Sequence, residues 1–155
     1  MEFNDMAETS SAQPAATPQK TVAQVLGEIT WLMTQSPLHK QLFIGDLEWF
    51  AMPAILLEQF RVWNGPNSPA AVALWATVSE ETEARLEAGG GKLSPDEWQN
   101  GDRPWLIDLV APFGATDEIL ADLASSIFDG KPFKYHTIDQ NGARIVSTYQ
   151  APSVN

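Results

Sequence analysis

Gly101-Asp102-Arg103-Pro104-Trp105-Leu106-Ile107-Asp108-Leu109-Val110-Ala111-Pro112-Phe113-Gly114 reads as a turn, a strongly apolar strand over 105–110 and a sharp exit. Asp108 interrupts that strand. By period-two alternation it shares a face with Leu106 and Val110, where a covered carboxylate is costly unless paired. The alternative is an edge strand with Asp108 facing water. Downstream, Asp117 to Phe128 carries Ile119, Leu120, Leu123 and Ile127 on one helical face and stops at Gly130.

Phe133 to Asp139 and Arg144 to Tyr149 flank Asn141-Gly142, a favourable pair for a hairpin turn. Upstream of the central strand, Ser94-Pro95-Asp96-Glu97 has capping-box spacing. Glu80 to Glu87 reads as a short acidic helix closed by Gly89-Gly90-Gly91. Leu56 to Trp63 and Ala71 to Val78, joined by the turn-rich 64–69, read as strand, loop, strand. Thr21 is a plausible N-cap for a helix whose Val22, Val25, Leu26, Ile29, Leu32 and Met33 form one apolar stripe. Ser36-Pro37 looks like a second helix start, with His39 in its first turn. The order predicts a mixed α/β (α+β) layer rather than a regular doubly wound sheet. Residues 1–20, rich in Ala, Ser, Thr, Pro and Gln, read as a disordered tail, 21–150 as the one folded domain and 151–155 as a C-terminal tail.

At 155 residues and 44% apolar composition, the chain can bury a single sizeable core. It has no cysteine, which excludes a disulfide frame, a thiol nucleophile and a thiolate metal site. A formal charge of −11 argues against nucleic acid as a partner. No apolar run approaches the roughly 18 residues that span a bilayer, and no secretory leader is evident. A cytoplasmic protein without an integral membrane segment is expected.

Read with Ser36-Pro37-Leu38-His39, Met52-Pro53-Ala54-Ile55 and Leu74-Trp75-Ala76, the opening run resembles the toxin-activating lysine acyltransferases, the hemolysin-activator family that fatty-acylates RTX protoxins. The resemblance runs from about Thr21 to Tyr149 through several ordered motifs. It implies a single-domain GNAT-type acyltransferase fold with a central mixed, mostly antiparallel sheet flanked by helices. It further implies transfer of an acyl chain from acyl carrier protein to internal lysine ε-amino groups of an RTX protoxin, with no cofactor or metal, and a homodimer. On this resemblance His39 and Asp108 are the catalytic pair, and Ser36 is a supporting candidate that helix capping explains equally well. Some members carry an Asn three residues before the Pro of Pro-Ala-Ile; Phe50 stands there in this chain.

The chemistry fits those residue types. Only about one lysine in a few thousand is unprotonated at pH 7, and histidine is the side chain suited to take the proton. His39 and His136 are the only two, and His136 matches no motif of the family. A carboxylate such as Asp108 would fix the His39 tautomer and stabilise imidazolium. Arg103 is a second supporting candidate, for a carboxylate or a donor phosphate, with Asp102 its local partner. Main-chain N–H groups near the strand bulge would stabilise the tetrahedral oxyanion, as in other acyl transfers. An acyl-histidine intermediate is a variant, and Trp31, Trp49, Phe50 and Phe113 are candidates for an acyl channel.

Ala111 to Thr116 lacks the glycine pattern that cradles a pyrophosphate, and Asp117-Glu118 place negative charge there, which counts against acyl-CoA. Acyl carrier protein is itself acidic, so its docking requires Lys40, Arg61, Arg103, Lys131, Lys134 and Arg144 to gather beside the cleft. Two alternatives stand: a GNAT acetyltransferase using acetyl-CoA, and a catalytically inactive toxin-binding module or chaperone.

Overall fold

The computed structural model describes residues 19–152. The expected disordered tail therefore lies outside the described residues except for Gln19 and Lys20, as do residues 153–155. Helix α1 (Val22–Thr34) starts on a Thr21–Gln24 capping box and buries Val25, Ile29, Leu32 and Met33. Two short helices follow, α2 (Leu47–Phe50) and α3 (Met52–Leu56). Strands β1 (Phe60–Asn64) and β2 (Pro69–Val78) form the first hairpin, and α4 spans Glu80–Glu87. Then come β3 (Arg103–Val110), α5 (Thr116–Ser126), β4 (Phe133–Ile138) and β5 (Arg144–Tyr149).

The five strands lie in the order β1-β2-β3-β4-β5, all antiparallel except β3 with β4. This is a mixed, mostly antiparallel sheet with helices on both faces. β2 sits inside it, and its near-continuous apolar sequence serves both sides. Val72, Leu74, Ala76 and Val78 join the core under α1–α3, whereas Ala71, Ala73 and Trp75 join the core under α5. The parallel β3–β4 pair is secured at one register point, Trp105 with Lys134. Beyond it the strands diverge and a cleft opens between them.

Three expectations are corrected. Ser36-Pro37 opens a run of turns rather than a helix: the amides of His39 and Lys40 both donate to the Ser36 carbonyl, at 3.1 and 3.0 Å. Leu38, Phe43 and Ile44 beyond it are exposed, so no apolar stripe holds a longer helix down. Leu56 to Gln59 is not strand. Leu56 closes α3, and Glu58, at φ +59°, reverses the chain into β1.

Third, Asp108 does not share a face with Leu106. Leu74 pairs with Asp108 but Trp75 pairs with Leu106, so Ile107 is an extra residue on β3. The bulge breaks the alternation. Leu106 packs under α5, while Asp108, paired with Leu74, and Val110 lie on the α1–α3 face.

An ion-pair cluster pins the loop that leads into β3. Arg85 donates to both carboxylate oxygens of Glu97 at 2.6 and 2.8 Å, and Glu97 also accepts from the Ser94 amide. The Arg85 hydrogen bonds chiefly, with Ser94 helping against burial, pull the Glu97 carboxyl down to about 2. Because that value lies below the unfolded one, the stabilisation is present above about pH 4.5 and is lost as pH falls toward 2. Thermal melts from pH 6 to pH 2.5 should show a smaller loss in Glu97→Gln than in the parent, most of the difference falling below pH 4.5.

Candidate active site

His39 reaches the sheet because α1 ends at Thr34 and the Ser36 turn folds back over β3. Its ring is engaged at both nitrogens. Nδ1 lies 2.6 Å from Ser36 Oγ, and Nε2 lies 3.0 and 2.9 Å from the two Asp108 carboxylate oxygens. A carboxylate can only accept, so Nε2 carries the proton. In the neutral ring Nδ1 is therefore bare and accepts from the Ser36 hydroxyl. Asp108 Oδ1 also accepts the Leu109 amide at 2.7 Å, which fixes the carboxylate on the bulge.

The Ser36 side chain, then, bonds the imidazole and makes no cap bond in its turn. Sequence could not choose between these uses, because both suit a serine before proline. Ser36 and His39 are buried, and the side chains of His39 and Asp108 are 11% and 23% exposed. They meet solvent on the wall of a cleft of about 750 Å³. Its lining includes Leu106, Ile107 and Leu109 of β3, Pro112, Leu120 of α5, and Ile138 of β4.

The other candidates are placed elsewhere. Arg103 is outside this cleft, bonded to Glu83 at 2.9 Å with Glu80 at 3.7 Å, so its partners are these and not Asp102. Burial raises the Glu83 carboxyl, but hydrogen bonds from Trp105 and Arg103 outweigh it and leave it low. Trp31 and Phe113 pair at 6.1 Å on the surface, whereas Phe50 packs beside the His39 ring at 6.2 Å with Trp49 against it. None of these four aromatics lines the main cleft.

The six expected cations are not gathered. Arg61 pairs with Asp122, Arg103 with Glu83 and Glu80, and Lys134 with Glu83 and Glu87. Arg144 alone of the six lines the cleft. His136, given no role by the sequence, lines the cleft beside it. Burial holds this imidazole below its ordinary value, with Arg144 adding to the shift. Its Nε2 lies 2.8 Å from the Leu86 carbonyl, and its Nδ1 accepts from Arg144 at 3.0 Å.

Known sequences resemble this chain. Residues 18–150 match the RTX toxin acyltransferase family. A leukotoxin-activating lysine-acyltransferase, LktC, from a Pasteurella haemolytica-like species is 39% identical over 100 residues, covering 64% of this chain and 61% of the relative. Lysine-acyltransferase RtxC of Vibrio cholerae is 31% identical over 117 residues, covering 75% and 76%. Protein-lysine myristoyltransferase HlyC of Escherichia coli is 35% identical over 91 residues, covering 59% and 52%. The chain thus spans about three-fifths of the LktC protein and half of HlyC. The match takes in every strand of the sheet and the turn, bulge and cleft that unite Ser36, His39 and Asp108; this chain belongs to the RTX toxin acyltransferase family.

Proposed function

We propose that the protein transfers a fatty acyl chain from a thioester to a lysine ε-amino group of an RTX protoxin, and that Ser36, His39 and Asp108 perform the transfer. The observation that carries this reading is the continuous relay from Asp108 through His39 to the Ser36 hydroxyl on the wall of an apolar cleft. The bare Nδ1 faces Ser36 Oγ, so that hydroxyl is the first group the base can deprotonate. Ser36 Oγ attacks the thioester carbonyl while His39 takes its proton; the C–S bond breaks, and the thiolate leaves with that proton. An uncharged lysine amine then attacks the Ser36 ester. The amide forms, the C–O bond breaks, and the amine's proton passes through His39 to Ser36 Oγ. An acyl-histidine intermediate is disfavoured, since neither ring nitrogen is free toward the cleft.

The gap between β3 and β4 supports a GNAT-type architecture, in which a splayed strand pair admits the donor. Beyond Trp105 the β3 edge has no ladder partner on the β4 side, which suits main-chain stabilisation of an oxyanion. For the donor, the α5 entry supports a single-phosphate phosphopantetheine arm, as on acyl carrier protein, over acyl-CoA. It has no glycine-rich cradle, and Asp117 and Glu118 occupy the first turn. The dispersed cations remove the basic patch that would attract an acidic carrier. The condition expected for docking an acidic carrier is therefore not met, which counts against the carrier, and the case for it here rests on the α5 entry alone.

The test is acyl transfer to a lysine peptide of the cognate protoxin, from acyl carrier protein or from CoA, followed by mass spectrometry. Transfer from the carrier thioester, with a trapped ester on Ser36, is the expected result. Acetyl transfer from CoA alone would favour the acetyltransferase reading, and toxin binding that persists without transfer in His39→Ala and Asp108→Ala would favour a binding module.

A further inference from the structure

Asp108 faces a second cavity, of about 310 Å³, on the side of β3 that packs toward α2. Its walls include Trp49, Phe50, Lys92, Trp98 and Arg144, and Ile107, Asp108 and Arg144 are common to both cavities. Ser36 and His39 line only the main cleft, so this second cavity adjoins the reacting centre through Asp108 and Arg144 without reaching Ser36 itself.

The cavity is rich in unanswered donors. Five of the nine cations have a carboxylate within ion-pair distance; Lys40, Lys92, Lys131 and Arg144 have none among the described residues. Two of those four line this one cavity, in a chain with twenty acidic side chains. Trp98 is fully buried, and its Nε1 has no acceptor among the described residues.

Both cations are held in place by uncharged groups. Lys92 Nζ lies 5.3 Å from the Trp49 ring centroid. Arg144 donates to His136 Nδ1, which is free to accept because Nε2–H is directed at the Leu86 carbonyl. Gly91 supplies the space for the guanidinium, since a Cβ there would stand 2.9 Å from both terminal nitrogens of Arg144. Such positioning without neutralisation suits an incoming anion.

We propose that this second cavity is the charge-reading part of the acceptor site: Arg144 and Lys92 bind a carboxylate adjacent to the substrate lysine, whose side chain reaches Ser36 through the main cleft that Arg144 also lines. Arg144 and Lys92 are specificity-determining residues in this assignment. The assignment rests on the acyl-transfer reading above for the role of the lysine.

The test uses labelled peptides with one lysine flanked by Glu, Gln or Arg, and measures both anisotropy binding and acyl transfer. The intact protein should bind the Glu peptide roughly tenfold more tightly than the Gln peptide. Arg144→Gln with Lys92→Gln should erase that preference, and Arg144→Glu should transfer it to the Arg peptide. Equal binding of Glu and Gln peptides, or a preference unchanged by these substitutions, overturns the acceptor assignment. Charge-dependent binding without any transfer would instead overturn the enzymatic reading and leave the binding site standing; transfer indifferent to the flanking charge would do the reverse. The charge reversal guards against a trivial result, because a variant that had merely unfolded would bind no peptide better.

Discussion

Asp108→Asn is expected to lower the rate of acyl transfer roughly a thousand- to ten-thousand-fold while leaving the fold intact, by favouring the wrong histidine tautomer and removing the charge that stabilises imidazolium. Oδ1 accepts the Leu109 amide at 2.7 Å, and an asparagine must keep its oxygen there, because its NH2 cannot accept. The amide NH2 then takes the place of Oδ2, 2.9 Å from His39 Nε2. It donates to that nitrogen in competition with the amide oxygen retained at the Oδ1 position 3.0 Å away, and so shifts the ring toward carrying its proton on Nδ1. In that tautomer the proton points at Ser36 Oγ, and no base remains to receive the hydroxyl proton. Single-turnover transfer measures the rate, and the ¹⁵N shifts of the imidazole report the tautomer. Adding His39→Ala to Asp108→Asn should cost little beyond His39→Ala alone, since the residues act as one unit. A variant that keeps more than about a tenth of the rate would show that the Asp108–His39 contact is structural.

Much of this arrangement was legible in the chain, and the reasons differ by element. The Glu80–Glu87 helix and the final hairpin are written in local chemistry: a serine before the acidic run, glycines after it, and an Asn-Gly turn. α2 and α3 were missed because four and five residues are too few for a helical period to register. The proline turn and the interrupted apolar strand left His39 and Asp108 as candidates, and the family resemblance carried by their motifs is what singled them out. Their contact is different in kind, since it depends on a bulge. Strict alternation would have kept Asp108 with Leu106 on the α5 face; the extra residue Ile107 turns it toward His39. Nothing local announces that bulge, which is set by how β2 and β3 must each satisfy two cores. Lys92 and His136 escaped for a related reason. Their significance lies in the partners they lack or acquire across 40 or more residues, as in the 50-residue separation between His136 and Leu86.

Gly101→Ala is expected to destabilise the protein by about 3 kcal/mol or more, among the largest effects of any single-methyl addition in the described chain. A Cβ on Gly101 would lie 2.3 Å from the Val78 carbonyl oxygen and 2.4 Å from the Ser79 nitrogen. These are backbone atoms at the junction of β2 and α4, and neither can move as a side-chain tip would. The same junction is tied down from three directions. The Gly101 amide donates to the Thr77 carbonyl, the Ser79 amide donates to the Asn100 side chain, and Thr77 receives the loop in a bridge with Gln99. Gly101 is therefore where the chain comes closest to β2 just before turning into β3. Relief of the clash must displace the start of β3 or the cap of α4. Displacing β3 shifts its register against β2, and the bulge that aims Asp108 depends on that register. Urea denaturation should show the stability loss. Activity should fall further than the folded fraction alone accounts for, because the surviving folded molecules hold Asp108 away from His39. If the folded fraction of Gly101→Ala were fully active, the clash would be absorbed on the α4 side and the register of β3 would be independent of this turn.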